Sequence, residues 1–154
     1  MILKIMTLIT GLLTTTVTEH DVAIAIFRMT ETSEATIVEI TLDEQDIAYE
    51  LNELHVPYDH KNIEQYLTAN FQIFADSNIA QYEVTAITKQ SNHLHITARL
   101  SKHLTHYSTL QIVNRCFVSI PDHSNIIQLE LNNEVRDYRM HKTRQTIEVQ
   151  YDKY

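Results

Sequence analysis

Glycine is almost missing from this chain of 154 residues; the single one is Gly11. From residue 19 onward there is none. Phosphate loops and dinucleotide-binding GxGxxG turns both need glycine for close backbone approach, so neither is present. The GxSxG elbow of serine hydrolases is absent for the same reason. Cysteine is equally scarce. With Cys116 alone, no intramolecular disulfide can form. A chain of this length buries a core without cross-links or metal, so the lack of disulfides fits a cytosolic protein and an exported one alike. Positive charge is in deficit: 12 Lys and Arg against 20 Asp and Glu leave a formal charge of -8 with the nine His neutral. A negative surface repels phosphate backbones, which argues against a nucleic-acid partner. The apolar run over 5–13 is too short to span a bilayer.

That run is informative in another way. Lys4 precedes it, the small-residue stretch Thr14 to Thr18 follows it, and Glu19, His20 and Asp21 then turn the chain polar. This is the layout of a secretory signal peptide. Thr16 and Thr18 stand where alanines are usual before the cleavage site, and Thr, Ile and Leu would also suit an N-terminal strand. No cysteine follows that would take a lipid anchor. The expectation is a signal peptide over 1–18 and a single domain over 19–154, periplasmic or secreted, with no transmembrane segment in the mature chain.

Apolar residues make up 44% of the chain, which marks globular material. Without glycine, turns fall to Asn, Asp and Ser, which best tolerate left-handed conformations. They occur at Asp76-Ser77-Asn78, Ser91-Asn92 and Asn132-Asn133. Between them the pattern alternates with period two. Strands are predicted over 22–30, 35–42, 71–75, 81–89, 93–101, 109–118, 126–131, 135–141 and 145–151. Two helices interrupt them. In 43–54, Ile47, Leu51 and Leu54 form a stripe and the acids Asp43, Glu44 and Asp46 suit the N-terminal dipole. In 59–71, Asp59 caps and Ile63, Tyr66, Leu67 and Phe71 form the stripe. The expected fold is mainly β: an antiparallel β-sandwich, Ig-like or related, with one or two short helices inserted after the second strand.

Register follows from parity, because a buried face must meet a buried face. Leu94, Ile96, Ala98 and Leu100 are expected to oppose Thr88, Ala86, Val84 and Tyr82 across a loop over 90–92. Ile127, Leu129 and Leu131 are expected to oppose Tyr138, Arg136 and Glu134. That leaves Asn132-Asn133 as a type I′ turn.

Several of these residues carry a resemblance. The chain has a signal and a His-led first strand at His20. A helix, Asn62 to Leu67, runs into a strand at Phe71-Gln72-Ile73. A long strand, Leu110 to Asn114, ends in Asn; the segment Asp122 to Ile127 follows, and the terminal hairpin is centred on Arg136 to Met140. This pattern, over about residues 20 to 151, resembles a family of small exported domains of unknown function from Gram-negative bacteria. The resemblance implies a β-sandwich with an inserted helical segment and an exported location, and brings no activity. In two places the chain departs from it: Asn133 stands where glycine is usual, and Glu19 where a small residue precedes the first His.

Candidate chemistry centres on histidine. His93 and His95 lie two apart on one strand and so share a face, a spacing that metal ligands use. His103 and His106 follow in the next loop. If cleavage exposes His20 or leaves it third, its imidazole and the free amine could chelate copper or nickel. Against this, His93 and His95 also suit the solvent face opposite Leu94 and Ile96, and a pair of His is not a closed tetrahedral set. Asp43, Glu44 and Asp46 are explained by a helix N-terminus better than by acid–base catalysis. Cys116, in an apolar context, reads as an inert buried thiol. Ser119 and Ser124 lie near His123, but sequence adjacency is not a triad. Arg136, Arg139, Lys142 and Arg144 cluster on the last hairpin, where they guard an edge or meet an anionic partner. The tyrosines, among them Tyr107, Tyr138, Tyr151 and Tyr154, suit sheet rims or a recognition surface.

The sequence is therefore read as a non-enzymatic, exported binding or scaffolding module that needs no cofactor and meets another envelope protein. The alternative is a periplasmic protein binding copper, nickel or zinc through His93, His95 and His20.

Overall fold

The computed structural model describes residues 23–151. The expected signal peptide over 1–18 and His20 lie outside the described residues. Two sheets pack face to face. The first six-stranded sheet has the order β5-β6-β2-β1-β8-β9 and the second, four-stranded, the order β10-β7-β3-β4. Their strands are β1 (Ile24–Glu31), β2 (Thr36–Asp43), β3 (Phe71–Ala75), β4 (Asn78–Ile79), β5 (Tyr82–Gln90), β6 (His93–Leu100), β7 (Thr109–Asn114), β8 (Ser124–Leu131), β9 (Glu134–Met140) and β10 (Thr146–Gln150). Helices α1 (Glu44–Glu53) and α2 (His60–Asn70) connect β2 to β3 and so carry the chain from one sheet to the other. The fold is a mainly β sandwich with two helices after the second strand, as the periodicity implied. One pairing departs from the antiparallel rule: β1 and β8 run parallel, with Ile26 beside Ile126 and Met29 beside Leu129.

The alternation that marked the strands builds the core. Phe27 and Met29 of β1, Val38, Ile40 and Leu42 of β2, and Ile127 and Leu129 of β8 face Phe71 and Ile73 of β3 and Leu110 and Ile112 of β7. Phe27 and Phe71 meet across the layers with ring centroids 4.7 Å apart. Each such side chain contributes about 1.5–3 kcal/mol by leaving water. Both helices start where expected. Asp43 accepts the Gln45 N–H and Asp59 the Asn62 N–H, each at 2.8 Å. Ile47 and Leu51, then Ile63, Tyr66 and Leu67, are buried against the sandwich, whereas Leu54 is exposed and serves as the α1 C-cap.

The β8–β9 hairpin has the expected register, with Ile127 opposite Tyr138 and Leu131 opposite Glu134. Asn132 and Asn133 have φ of 52° and 58°, the positive values a type I′ turn demands. The β5–β6 hairpin keeps its register only in part. Tyr82 and Val84 oppose Leu100 and Ala98, but a bulge between Val84 and Ala86 shifts the rest. Ile87, not Ala86, then opposes Ile96, and the loop shrinks to Ser91-Asn92. The bulge lets the larger apolar side chain, Ile87, pack on the core. Strand β7 also ends earlier than alternation suggested, at Asn114 rather than residue 118. There the Asn114 side chain accepts the Cys116 N–H at 2.9 Å and turns the chain.

The registers place the start of β1, the end of β2 and the starts of β6 and β8 at one end of the sandwich. The ends of β7 and β9 lie at the same end. Both helices, the segment 115–123 and the turn after β9 therefore converge there.

Candidate functional site

The segment 115–123 is fastened over the helices by an unusual set of contacts. Phe117 is fully buried, yet its φ is 61°. A bulky side chain rarely takes that left-handed conformation, which costs on the order of 1–3 kcal/mol. Its N–H donates to the Tyr66 hydroxyl at 2.7 Å, and its ring lies between those of Tyr66 and His123, with centroids 5.7 and 4.7 Å away. Asp122 also has positive φ, 57°. Ser119 donates to Glu50 at 2.5 Å. His123 lies against the preceding turn of the same helix, its Nε2 3.2 Å from Asp46 Oδ2. Asp46 and Glu50 are one turn apart, so α1 presents a carboxylate to each side chain.

This arrangement leaves polar groups without hydrogen bonds. The His123 side chain is 2% exposed; its Nε2 contacts Asp46 Oδ2 without hydrogen-bonding alignment, and its Nδ1 has no hydrogen-bond partner. Just behind, Asn125 donates to Asn114 Oδ1 and to the Cys116 carbonyl, while Asn125 Oδ1 and Asn114 Nδ2 lack partners. Buried polar groups are nearly always paired, so such a concentration makes this wall the candidate site. Cys116 lies in the turn past β7 rather than within a strand, and burial, with the nearby Glu50 charge, raises its thiol well above the usual range. The same burial raises the Tyr66 phenol.

Outside this wall lies an open cleft of about 720 Å³, with His123, Asn125 and Asp122 on one side and Arg139, His141 and Lys142 on the other. Arg139 is exposed, but its Nε donates to Ser124 Oγ at 3.0 Å, and Ser124 is itself buried. That bond fixes one edge of the guanidinium. Among the described residues Arg139 forms no ion pair. Arg136, by contrast, is paired with Glu134 and lies 5.0 Å over the Tyr151 ring, bridging the two sheets.

The histidines singled out by spacing are dispersed. His93 and His95 project from the face opposite Leu94 and Ile96; His93 is exposed and His95 Nδ1 lies 3.2 Å from Thr41 Oγ1. His93 borders a second cleft, of about 650 Å³, with Asp43 and Asp46. His103 is at the far end of the sandwich, 3.4 Å from Glu31. Among the described residues no three His, Cys, Asp or Glu side chains converge as a metal-holding group. Ser119 and His123, neighbours in sequence, engage different carboxylates, and no hydrogen bond joins them.

Sequence reasoning placed Asp46 on a solvated helix end and did not single out Glu50. A signal was present: Asp46, Ile47, Glu50 and Leu51 fall on one helical stripe, so two acids share the face that the apolar residues bury. Arg139 stood out in sequence only as one of the basic cluster on the last hairpin, and Asn125 gave no signal, because their partners are assembled by sheet register. No protein-family model matches the chain, and no curated protein matches it significantly.

Proposed function

We propose that the chain is an exported, non-catalytic binding module and that the cleft between the 116–125 segment and the turn after β9 is where it binds. One observation carries the reading: a buried His123 whose Nε2 faces Asp46 and whose Nδ1 has no hydrogen-bond partner, held in the cleft wall by a segment whose Phe117 backbone is strained. Strain and unmet hydrogen bonds gather at ligand clamps because they pre-set a surface that stability alone would relax. Binding is favoured over catalysis by the pairing pattern. Ser119 is bonded to Glu50 rather than to the imidazole, and Cys116 is buried with a raised thiol pKa, so neither is an activated nucleophile.

Hydrogen–deuterium exchange of the purified chain, with and without an extract of its own cell envelope, tests the reading. Protection is expected at 116–125 and 139–142. Protection confined to other faces, or none, refutes the site. Turnover of an ester or amide substrate that is lost in Ser119→Ala refutes the non-catalytic assignment. N-terminal sequencing of the protein from its native cell tests export, and the first residue is expected between Thr18 and Asp21.

A further inference from the structure

The chemistry of the cleft narrows what it would hold, on the reading that it is a binding site. In a chain of formal charge -8, this is a place where cations gather with little opposition. Arg139, Lys142 and His141 line one side, and the acid lining the cleft is Asp122. Neither Arg139 nor Lys142 forms an ion pair among the described residues. Arg139 is also pre-oriented, because its Nε bond to the buried Ser124 holds one edge of the guanidinium and leaves the other edge free for a ligand in the cleft that Arg139 lines. A planar fork held in one orientation matches a planar carboxylate.

Phosphate fits less well. Phosphate sites use converging backbone amides, at a helix N-terminus or in a glycine-rich nest. Here the amides of Cys116, Phe117, Ile120, His123 and Ser124 all donate within the protein. The carboxylates of Asp122 at the rim and Asp46 and Glu50 behind the wall further disfavour a dianion. Behind the cations stand His123 Nδ1 and Asn125 Oδ1, both buried and without a hydrogen-bond partner. With Nε2 facing Asp46, Nδ1 of a neutral ring is an acceptor, as is the Asn125 oxygen. A ligand that draws the segment outward would meet both with its own N–H or O–H groups, and pairing them would offset the cost of moving it.

We propose that this cleft binds a small organic carboxylate, its charged end held by Arg139 and Lys142 and its hydrogen-bond donors turned toward His123 and Asn125. The shared chemistry has two sources, a free organic acid or the carboxyl terminus of a peptide.

The test is a titration of the isotope-labelled chain followed by amide chemical shifts. The probes are lactate, N-acetylglycine, its neutral analogue N-acetylglycinamide, inorganic phosphate, and trialanine with a free or an amidated terminus. The carboxylates are expected to shift amides of 116–125 and 139–142 saturably, and the neutral analogue to bind at least about tenfold more weakly. Arg139→Gln is expected to weaken carboxylate binding by a similar factor. Lys142→Glu, at an exposed position, keeps the test independent of the Ser124 contact and is expected to act in the same direction. Tighter binding of trialanine than of lactate assigns the source to a chain end, and the reverse to a free acid; either supports the proposal. Equal binding of the neutral analogue overturns the charge requirement and leaves the binding-module reading intact. Preference for phosphate overturns the ligand class in the same way. If no probe shifts the cleft, the proposal falls; the exchange experiment then decides separately whether the cleft binds anything.

Discussion

The Asn132-Asn133 turn offers the sharpest test of the fold. Both residues have positive φ, 52° and 58°, and between them they join Leu131 of the buried β8 to Glu134 of the edge strand β9. Register fixes the loop at two residues, so a substituted side chain cannot escape by slipping without turning β9 over. A left-handed conformation costs an ordinary L-residue roughly 1–2 kcal/mol, less for Asn, and a β-branched residue is an outlier there. Asn133→Val is therefore expected to destabilise by about 1–2 kcal/mol, Asn133→Ala by somewhat less, and Asn133→Gly to leave stability unchanged or raise it. For a domain of this size, one kcal/mol corresponds to about 2–4 °C in the melting midpoint. The valine variant is then expected to melt about 2–8 °C below the parent. Thermal melts and urea titrations of all four proteins provide the measurement. A valine variant that melts with or above the parent would refute the turn and the register together. Destabilisation by glycine but not by alanine would show that the side chain, not positive φ, is what the turn needs.

Other outcomes follow from the same geometry. The parent and a His93→Ala, His95→Ala double variant are expected to melt within a few degrees of each other, with or without micromolar zinc, nickel or copper; a bound metal at a hundredfold excess over its dissociation constant would add about 2.7 kcal/mol, so a metal-dependent upshift lost in the variant would promote the metal reading. Burial, reinforced by the hydrogen bond to Glu44, pushes the Tyr58 phenol up to about 12, and burial moves Tyr151 up to about 12 and Tyr66, Tyr82 and Tyr107 higher still. The unfolded chain loses these protons near pH 10, so stability is full below that pH and falls as pH rises; tyrosinate absorbance is expected to lag until the fold melts, and ordinary titration of all tyrosines near pH 10 in folded protein would contradict the burial. Cys116 is expected to resist a thiol reagent at pH 8 in the native state and to react fully once unfolded. Ile73→Ala, which empties a fully buried site in β3, is expected to cost about 2–5 kcal/mol by equilibrium denaturation, and a cost below about 1 kcal/mol would mean the sheets do not pack through it.

Much of the fold was legible because the signals that specify it are local. Alternation marked the strands, Asp43 and Asp59 marked the helix starts, and the pair Asn132-Asn133 fixed a turn and with it a register. Where local rules were ambiguous they failed in definable ways. Parity alone did not foresee that a bulge near Thr85 would exchange Ala86 for Ile87 on the core face, because the gain arises from packing against the rest of the core. The parallel pairing of β1 with β8 joins segments about a hundred residues apart, for which no adjacent turn exists. The candidate site lies wholly in that second category. His123 meets Asp46, Ser119 meets Glu50, Asn125 meets Asn114, and Arg139 meets Ser124 only after the sheets have formed and the helices have closed one end of the sandwich. Sequence determined which residues would be strand, helix and turn, since those preferences depend on near neighbours. Tertiary structure alone decided which polar side chains would be buried together, since burial and pairing depend on what the distant chain brings across.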